Sequence, residues 1–191
     1  DILTKIALES SGFPRERVIG SGTVLDTSRF RYQLSQKLDV HVGNVHGYIL
    51  GEHGDSEFAA WSMSNIAGVP IEVYSELKKL DNWDEQKKEI EQIVRDSAYH
   101  IIDYKGATNF AVGLALVQIT GAILKNQNRV LTVSYHLEGE YNLDDVALSV
   151  PCMISQNGVE HVISAHLPPA EQKLLEKSAT LLSKEYSDLN G

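Results

Sequence analysis

Apolar residues recur along this chain with helical spacing at both ends and with strand-like runs between. Ile2, Leu3, Ile6 and Ala7 predict a helix over residues 2–10, stopped by Ser11-Gly12-Phe13-Pro14. Val18-Ile19 is a short buried-strand candidate, followed by Gly20-Ser21-Gly22. Phe30, Leu34 and Leu38 form one stripe and predict a helix from about Asp26 to Leu38. Val45 to Glu52 reads as a strand, and Glu85 to Tyr104 as an amphipathic helix with Ile90, Ile93, Val94, Ile101 and Ile102 on its apolar side. Lys105-Gly106 interrupts that helix. Ala107 to Leu124 is then apolar nearly all round and is expected to be a buried core helix. It is too short and too polar, with Thr108, Asn109, Gln118 and Thr120, for a membrane span. Residues 129–165 read as an antiparallel meander with turns near Asn142, Asp144 and Asp145 and at Asn157-Gly158. Pro168-Pro169 opens a terminal helix whose buried side carries Leu174, Leu175, Leu181, Leu182 and Tyr186.

The 191 residues suffice for one or two domains with a sizeable core. Lys and Arg total 17 against 26 for Asp and Glu, so the formal charge is −9. That balance argues against nucleic acid or an anionic membrane as the main partner, while leaving room for a local cationic pocket. Cys152 is the only cysteine, which rules out an internal disulfide and favours a reducing compartment. Its place in an apolar run marks it as core rather than nucleophile. The chain begins Asp1-Ile2-Leu3-Thr4, without methionine or signal sequence and with a helix already under way. We therefore expect its natural beginning to lie upstream.

Strand, then Gly20-Ser21-Gly22, then helix mimics the start of a dinucleotide fingerprint, and Asp39 lies at a suggestive distance downstream. Position 25 is Leu where the third glycine belongs, so a tight turn out of a sheet is the simpler expectation.

The richest chemistry is Gly51-Glu52-His53-Gly54-Asp55, which follows the apolar run Tyr48-Ile49-Leu50. Histidine exchanges its proton near neutral pH, and flanking glycines let another molecule approach. By itself the pentapeptide also fits a surface loop. Asp26 and Arg29, three apart, share a helix face. They suit either a surface ion pair or, beside His53, an aspartate that orients an imidazole and an arginine that clamps a carboxylate.

Taken in order, Val18-Ile19-Gly20-Ser21-Gly22-Thr23, Leu25-Asp26-Thr27-Ser28-Arg29-Phe30-Arg31, Gly51-Glu52-His53-Gly54-Asp55 and Lys105-Gly106-Ala107-Thr108 resemble the L-lactate dehydrogenases of the lactate/malate dehydrogenase family. Glu52 before the histidine and the Lys-Gly-Ala-Thr run resemble lactate rather than malate enzymes. The resemblance implies an α+β substrate domain over residues 21–191, with long helices packed on antiparallel strands. Residues 1–20 would be the last helix and strand of a Rossmann domain. It implies reversible NAD-dependent reduction of pyruvate to L-lactate, with His53 as the acid/base group, Asp26 as its partner and Arg29 on the substrate carboxylate. Thr108 would shape the substrate pocket, and Ser21 and Val112 would touch the nicotinamide. A cytoplasmic homo-oligomer, a tetramer, is likewise implied.

Arg31 and His46 match positions that bacterial members use for fructose 1,6-bisphosphate between subunits. Arg29 and Arg31 lie roughly 200° apart around a helix. In one continuous strand, His46 and His53 would point to opposite faces, so one Arg/His pair could serve chemistry and the other an effector. The cofactor's Gly-rich loop, a mobile loop with a second arginine and the residue that sorts pyruvate from oxaloacetate would all lie upstream. We therefore expect no turnover from the isolated chain. Two rivals are a non-catalytic folding or assembly module of a malate- or 2-hydroxyisocaproate-type dehydrogenase, and a metal hydrolase using His46, Glu52, His53 and Asp55. The latter lacks the His-Glu-x-x-His pattern, and its histidines would be ~20 Å apart in an extended strand, so no metal site is expected.

Overall fold

The computed structural model describes residues 1–105, 109–164 and 166–190, apart from the side chains of 98–105 and 190. Helix α1 (Ile2–Ser11) ends at Gly12, whose φ of +67° is the left-handed stop that Ser11-Gly12 announces. Val18-Ile19 does not become a ladder strand. Only Gly20 pairs, through reciprocal backbone hydrogen bonds with Ser134. Helix α2 (Val24–Leu38) starts two residues earlier than the stripe predicts, because Thr23 supplies its N-terminal boundary. The Thr23 hydroxyl donates to the Ile49 carbonyl at 2.6 Å, which ties the start of α2 to the segment that leads to His53.

The predicted strand over 45–52 is broken. Val45–His46 forms β1 and Ile49–Leu50 forms β2, and the two belong to different small sheets. The break falls at Gly47-Tyr48, and Gly51 then adopts a φ of +95°. The parity argument for His46 and His53 therefore fails, since a kinked backbone has no period of two. Strand β2 pairs with β3 (Phe58–Ala59), while β4 (Asn65–Ile66) pairs with both β1 and β5 (Val69–Pro70). Helix α3 (Ile71–Leu77) follows, then α4 (Trp83–Lys105) and α5 (Asn109–Leu124).

The meander appears as predicted. It comprises β6 (Arg129–Glu138), β7 (Asp144–Ser155) and β8 (Gly158–Val162), all antiparallel, with β7 central. Helix α6 (Pro169–Asn190) closes the chain with Leu175, Ala179 and Leu182 buried, whereas Leu174 is exposed.

Two apolar clusters result. One joins Val133, Leu148, Val150 and Ile154 of the sheet to Leu175 and Leu182 of α6 and to Ala115, Ile119 and Ala122 of α5. The other gathers Phe30, Leu34, Leu38, Ile49, Ile90 and Val94. Helix α2 feeds both, with Val24 in the first and Phe30 in the second, so Asp26 sits where they meet.

Helix α5 departs from expectation. Only Ala115, Ile119 and Ala122 are buried, while Phe110 is 89% and Leu124 84% exposed, and Leu114 and Val117 also face outward. An apolar pattern broken by only a few polar residues gives no sign of which face the sheet will take.

Candidate active site

Gly51 starts the loop that carries His53. Reciprocal hydrogen bonds to Ser149 of β7 fix its backbone, and a Cβ there would come within 2.5 Å of the Ser178 hydroxyl. Both the close approach and the positive φ require glycine. Glu52 serves the loop internally: its carboxylate accepts from the Ser56 amide and from the Ser56 hydroxyl. The His53 amide donates to the Asp1 carboxylate at 2.7 Å, so the start of the chain also pins the histidine.

Nδ1 of His53 then lies 2.7 Å from Oδ2 of Asp26, a carboxylate that is 2% exposed. On the other carboxylate oxygen, Nη1 of Arg29 donates at 2.9 Å. The three residues to which the resemblance gives catalytic roles are thus in one contact network. The i,i+3 spacing on α2 supplies two of them and the glycine-framed loop supplies the third. The close contact with Asp26 raises the imidazole's pKa, burial opposes this, and the charges of Asp26 and Glu57 add to the rise. With Nδ1 held by the carboxylate, Nε2 is the nitrogen left to exchange a proton with another molecule. The His53 side chain is 47% exposed, so such a molecule has access.

Arg29 is 13% exposed, and its second terminal nitrogen, Nη2, is buried with no hydrogen-bond partner among the described residues. A buried guanidinium nitrogen without an acceptor is costly, and a planar carboxylate is the group that matches it.

Sequence reasoning missed Glu57. It is 5% exposed, and its carboxylate lies with the Asp26 carboxylate and a ring nitrogen of His53 in a cluster whose ligating atoms are within 4.8 Å of one another. Burial and the negative charge of Asp26 push its pKa up to about 8. The one signal in the chain is a carboxylate at the mouth of the apolar run Phe58-Ala59-Ala60. The same three groups have the spacing of a cation site, but the Arg29 guanidinium already occupies Asp26 and would repel a second cation. Among the described residues, the cluster with ligand spacing is Asp26, His53 and Glu57, not the His46, Glu52, His53 and Asp55 of the hydrolase reading.

The remaining predicted residues lie elsewhere. Ser21 is half-exposed in the turn before α2, and Val112 is half-exposed in the first turn of α5. Thr108 lies outside the described residues. At Gly20-Ser21-Gly22 the space a side chain would need is taken by β6 and by Thr4 of α1, which fits the tight turn expected from the sequence. A Cβ on Gly22 would sit 2.4 Å from the Ser134 nitrogen, and one on Gly20 would sit 2.9 Å from the Ser134 Cβ. Arg31 points away from Arg29, with its Nε donating to the Gly47 carbonyl at 2.9 Å and its guanidinium 5.1 Å from the Tyr48 ring. His46 is exposed on β1. Arg31 shares a shallow cleft with Arg129, Gln118, Ser28 and Thr132. Burial and the nearby Arg129 charge both lower its pKa.

The family profile of the lactate/malate dehydrogenase alpha/beta C-terminal domain matches residues 23–190. The chain belongs to the lactate/malate dehydrogenase family. The L-lactate dehydrogenase of Treponema denticola is 56% identical over the whole chain, and that of Acetivibrio thermocellus is 49% identical. The match spans 61% and 60% of those relatives, so the chain covers about three fifths of their length. The crystal structure of the minor L-lactate dehydrogenase of Enterococcus mundtii in its ligands-bound form superposes with a TM-score of 0.93 at 41% identity, over 98% of this chain and 60% of that one. A lactate dehydrogenase from a Medee basin deep-sea metagenome gives 0.94 at 42% identity, over 100% and 61%. The α+β fold, with helices on antiparallel strands, is that of the family's C-terminal domain.

Proposed function

We propose that this chain is the substrate-binding side of an NAD-dependent L-lactate dehydrogenase, with His53 as the residue that moves the proton. The observation that carries the reading is the buried, unpartnered Nη2 of Arg29 beside the His53–Asp26 contact. The carboxylate of pyruvate takes its place on Arg29 as an acceptor. That anchors the keto oxygen within reach of Nε2 of His53. In reduction His53 gives its proton to that oxygen and becomes neutral, and in lactate oxidation it takes the hydroxyl proton back. Asp26 orients the ring and favours its charged form, the form ready to donate. NAD, when bound, supplies or accepts the hydride. The half-exposed Ser21 and Val112 suit contact with its nicotinamide end. Thr108 completes the substrate pocket in this reading.

Residues 1–20 are then the close of a dinucleotide-binding fold and 21–191 the substrate domain. The setting is cytoplasmic, in keeping with the single buried thiol of Cys152. No described helix is long and apolar enough to cross a membrane. The working form is a homo-oligomer, a tetramer, supported by the uncovered apolar face of α5. Fructose 1,6-bisphosphate is the proposed activator at Arg31; its expected partner His46 does not line the Arg31 cleft, and the second guanidinium there is that of Arg129.

The test is a graft. Placed in the Treponema denticola relative in exchange for the matching 61%, the chain should support NADH oxidation by pyruvate. His53→Asn in that graft should lower kcat by about 10²–10⁴-fold. Arg29→Lys should raise KM for pyruvate more than it lowers kcat. Full activity in the His53 variant would overturn the assignment.

A further inference from the structure

We propose that Glu57 is a third proton-holding member of this site, a positioning residue that acts on substrate only through His53. It is neutral while it carries its proton, and once ionised it is an added anion that keeps the imidazole charged. This inference rests on the reading of His53 above.

The geometry is a buried carboxyl facing a buried carboxylate. Glu57 and Asp26 are 5% and 2% exposed, and each offers an oxygen within 4.8 Å of the other and of a ring nitrogen of His53. Two carboxylates so close and so dry do not both ionise freely, so one of them holds a proton. The neighbouring cations decide which. Arg29 extends from α2 and is bound to Asp26 at 2.9 Å. Arg95 extends from α4, but it donates to the backbone carbonyl of Glu57 at 3.3 Å, and its other terminal nitrogen is 3.9 Å from Glu91. Asp26 thus has a guanidinium and an imidazole in direct contact, while Glu57 has only more distant charges, from His53, Arg95 and Arg29. Glu57 is the carboxyl that keeps the proton. Its pKa near 8 is the expected result, with burial first and the charge of Asp26 second.

The sign follows directly. Above neutrality Glu57 loses its proton and places a second negative charge beside the ring. That charge favours the imidazolium at the pH where it would otherwise disappear. The donor form of His53 then persists further into alkaline solution than Asp26 alone would allow.

The experiment is an NMR titration of the His53 ring in the 191-residue chain from about pH 5 to about pH 10, for wild type, Glu57→Gln and Asp26→Asn. Glu57→Gln should lower the His53 midpoint by about one pH unit and remove curvature near the Glu57 ionisation. A midpoint unchanged in Glu57→Gln, with the fold intact by circular dichroism, overturns the inference. Should that variant fail to fold, the side-chain carboxyl carbon of Glu57 in wild type decides. Titration near pH 8 in step with a His53 inflection supports the inference, and titration in the ordinary glutamate range overturns it. Asp26→Asn tests the underlying reading separately. If it leaves the His53 midpoint unmoved, the His53–Asp26 pair itself fails, whatever Glu57 does.

Discussion

Two residues of this site bind protons more tightly in the folded chain than in the unfolded one, and stability must register it. A pKa raised by folding adds stability that is complete below the unfolded value and is lost as pH rises through the folded one. For Glu57 that window runs from the ordinary 4.5 to about 8. For His53 it opens at 6.5 and closes at the raised folded value. Glu57→Gln removes the first contribution while keeping nearly the same volume. Its urea midpoint relative to wild type should therefore climb between about pH 5 and about pH 8.5, and a gap that stays constant over that range would refute the account. Local signals, helix spacing and a glycine-framed histidine, singled out His53, Asp26 and Arg29 but fitted a surface loop and a surface ion pair as well; only the family resemblance joined the three into one site. Glu57 was not singled out. Its partner Asp26 lies 31 residues away, and the fold that brings them together depends on a strand broken at Gly47-Tyr48 and on the turn of Gly51.

At the scale of elements, the long helices with separate apolar and polar faces were read correctly in place, although Ile93, expected on the apolar side of α4, is 38% exposed and the short α3 was not anticipated. The stripe of α2 fills one core cluster, and the buried side of α6 fills the other, with Leu174 the exception. Helix α5 has no such separation. Its existence was legible, but its orientation was not, because an all-round apolar segment fits a core or an uncovered surface equally well. The structure puts Phe110, Leu114, Leu116 and Val117 on the outside. Contiguous apolar surface of this kind marks a contact with another chain or domain. Leu114→Glu with Val117→Glu should thus leave the chain's unfolding free energy within about 0.5 kcal/mol, the ordinary range for surface changes. The same pair should shift sedimentation toward monomer. Ile119→Ala, on the buried side of the same helix, should cost about 2–4 kcal/mol. Self-association that survives the double substitution would show that α5 is not the contact.

Over the whole molecule the charge is −9, a field that repels anions at long range. Any anionic effector must therefore be captured by a local excess of cations strong enough to overcome it. Arg31 and Arg129 form such an excess: they share one cleft, and the charge of Arg129 makes the Arg31 guanidinium harder to keep protonated. Two like charges held close, with the Arg129 guanidinium bonded to the neutral Gln118 side chain at 3.3 Å, are relieved when a doubly charged phosphate enters. The lining of this cleft includes neither Arg29 nor His53, so its occupancy can change without covering the arginine proposed to hold pyruvate. In the grafted enzyme, Arg31→Gln should raise the concentration of fructose 1,6-bisphosphate needed for half-activation by about tenfold or more, equivalent to about 1.4 kcal/mol. Added salt should mimic the substitution in wild type, because a partly exposed cationic pair is screened within about 8 Å at physiological ionic strength. Activity without the bisphosphate should be unchanged in Arg31→Gln, since Arg31 touches Gly47 and Tyr48 rather than Asp26 or His53. An activator response that is the same in variant and wild type would remove Arg31 from the effector site and leave the bisphosphate to act elsewhere.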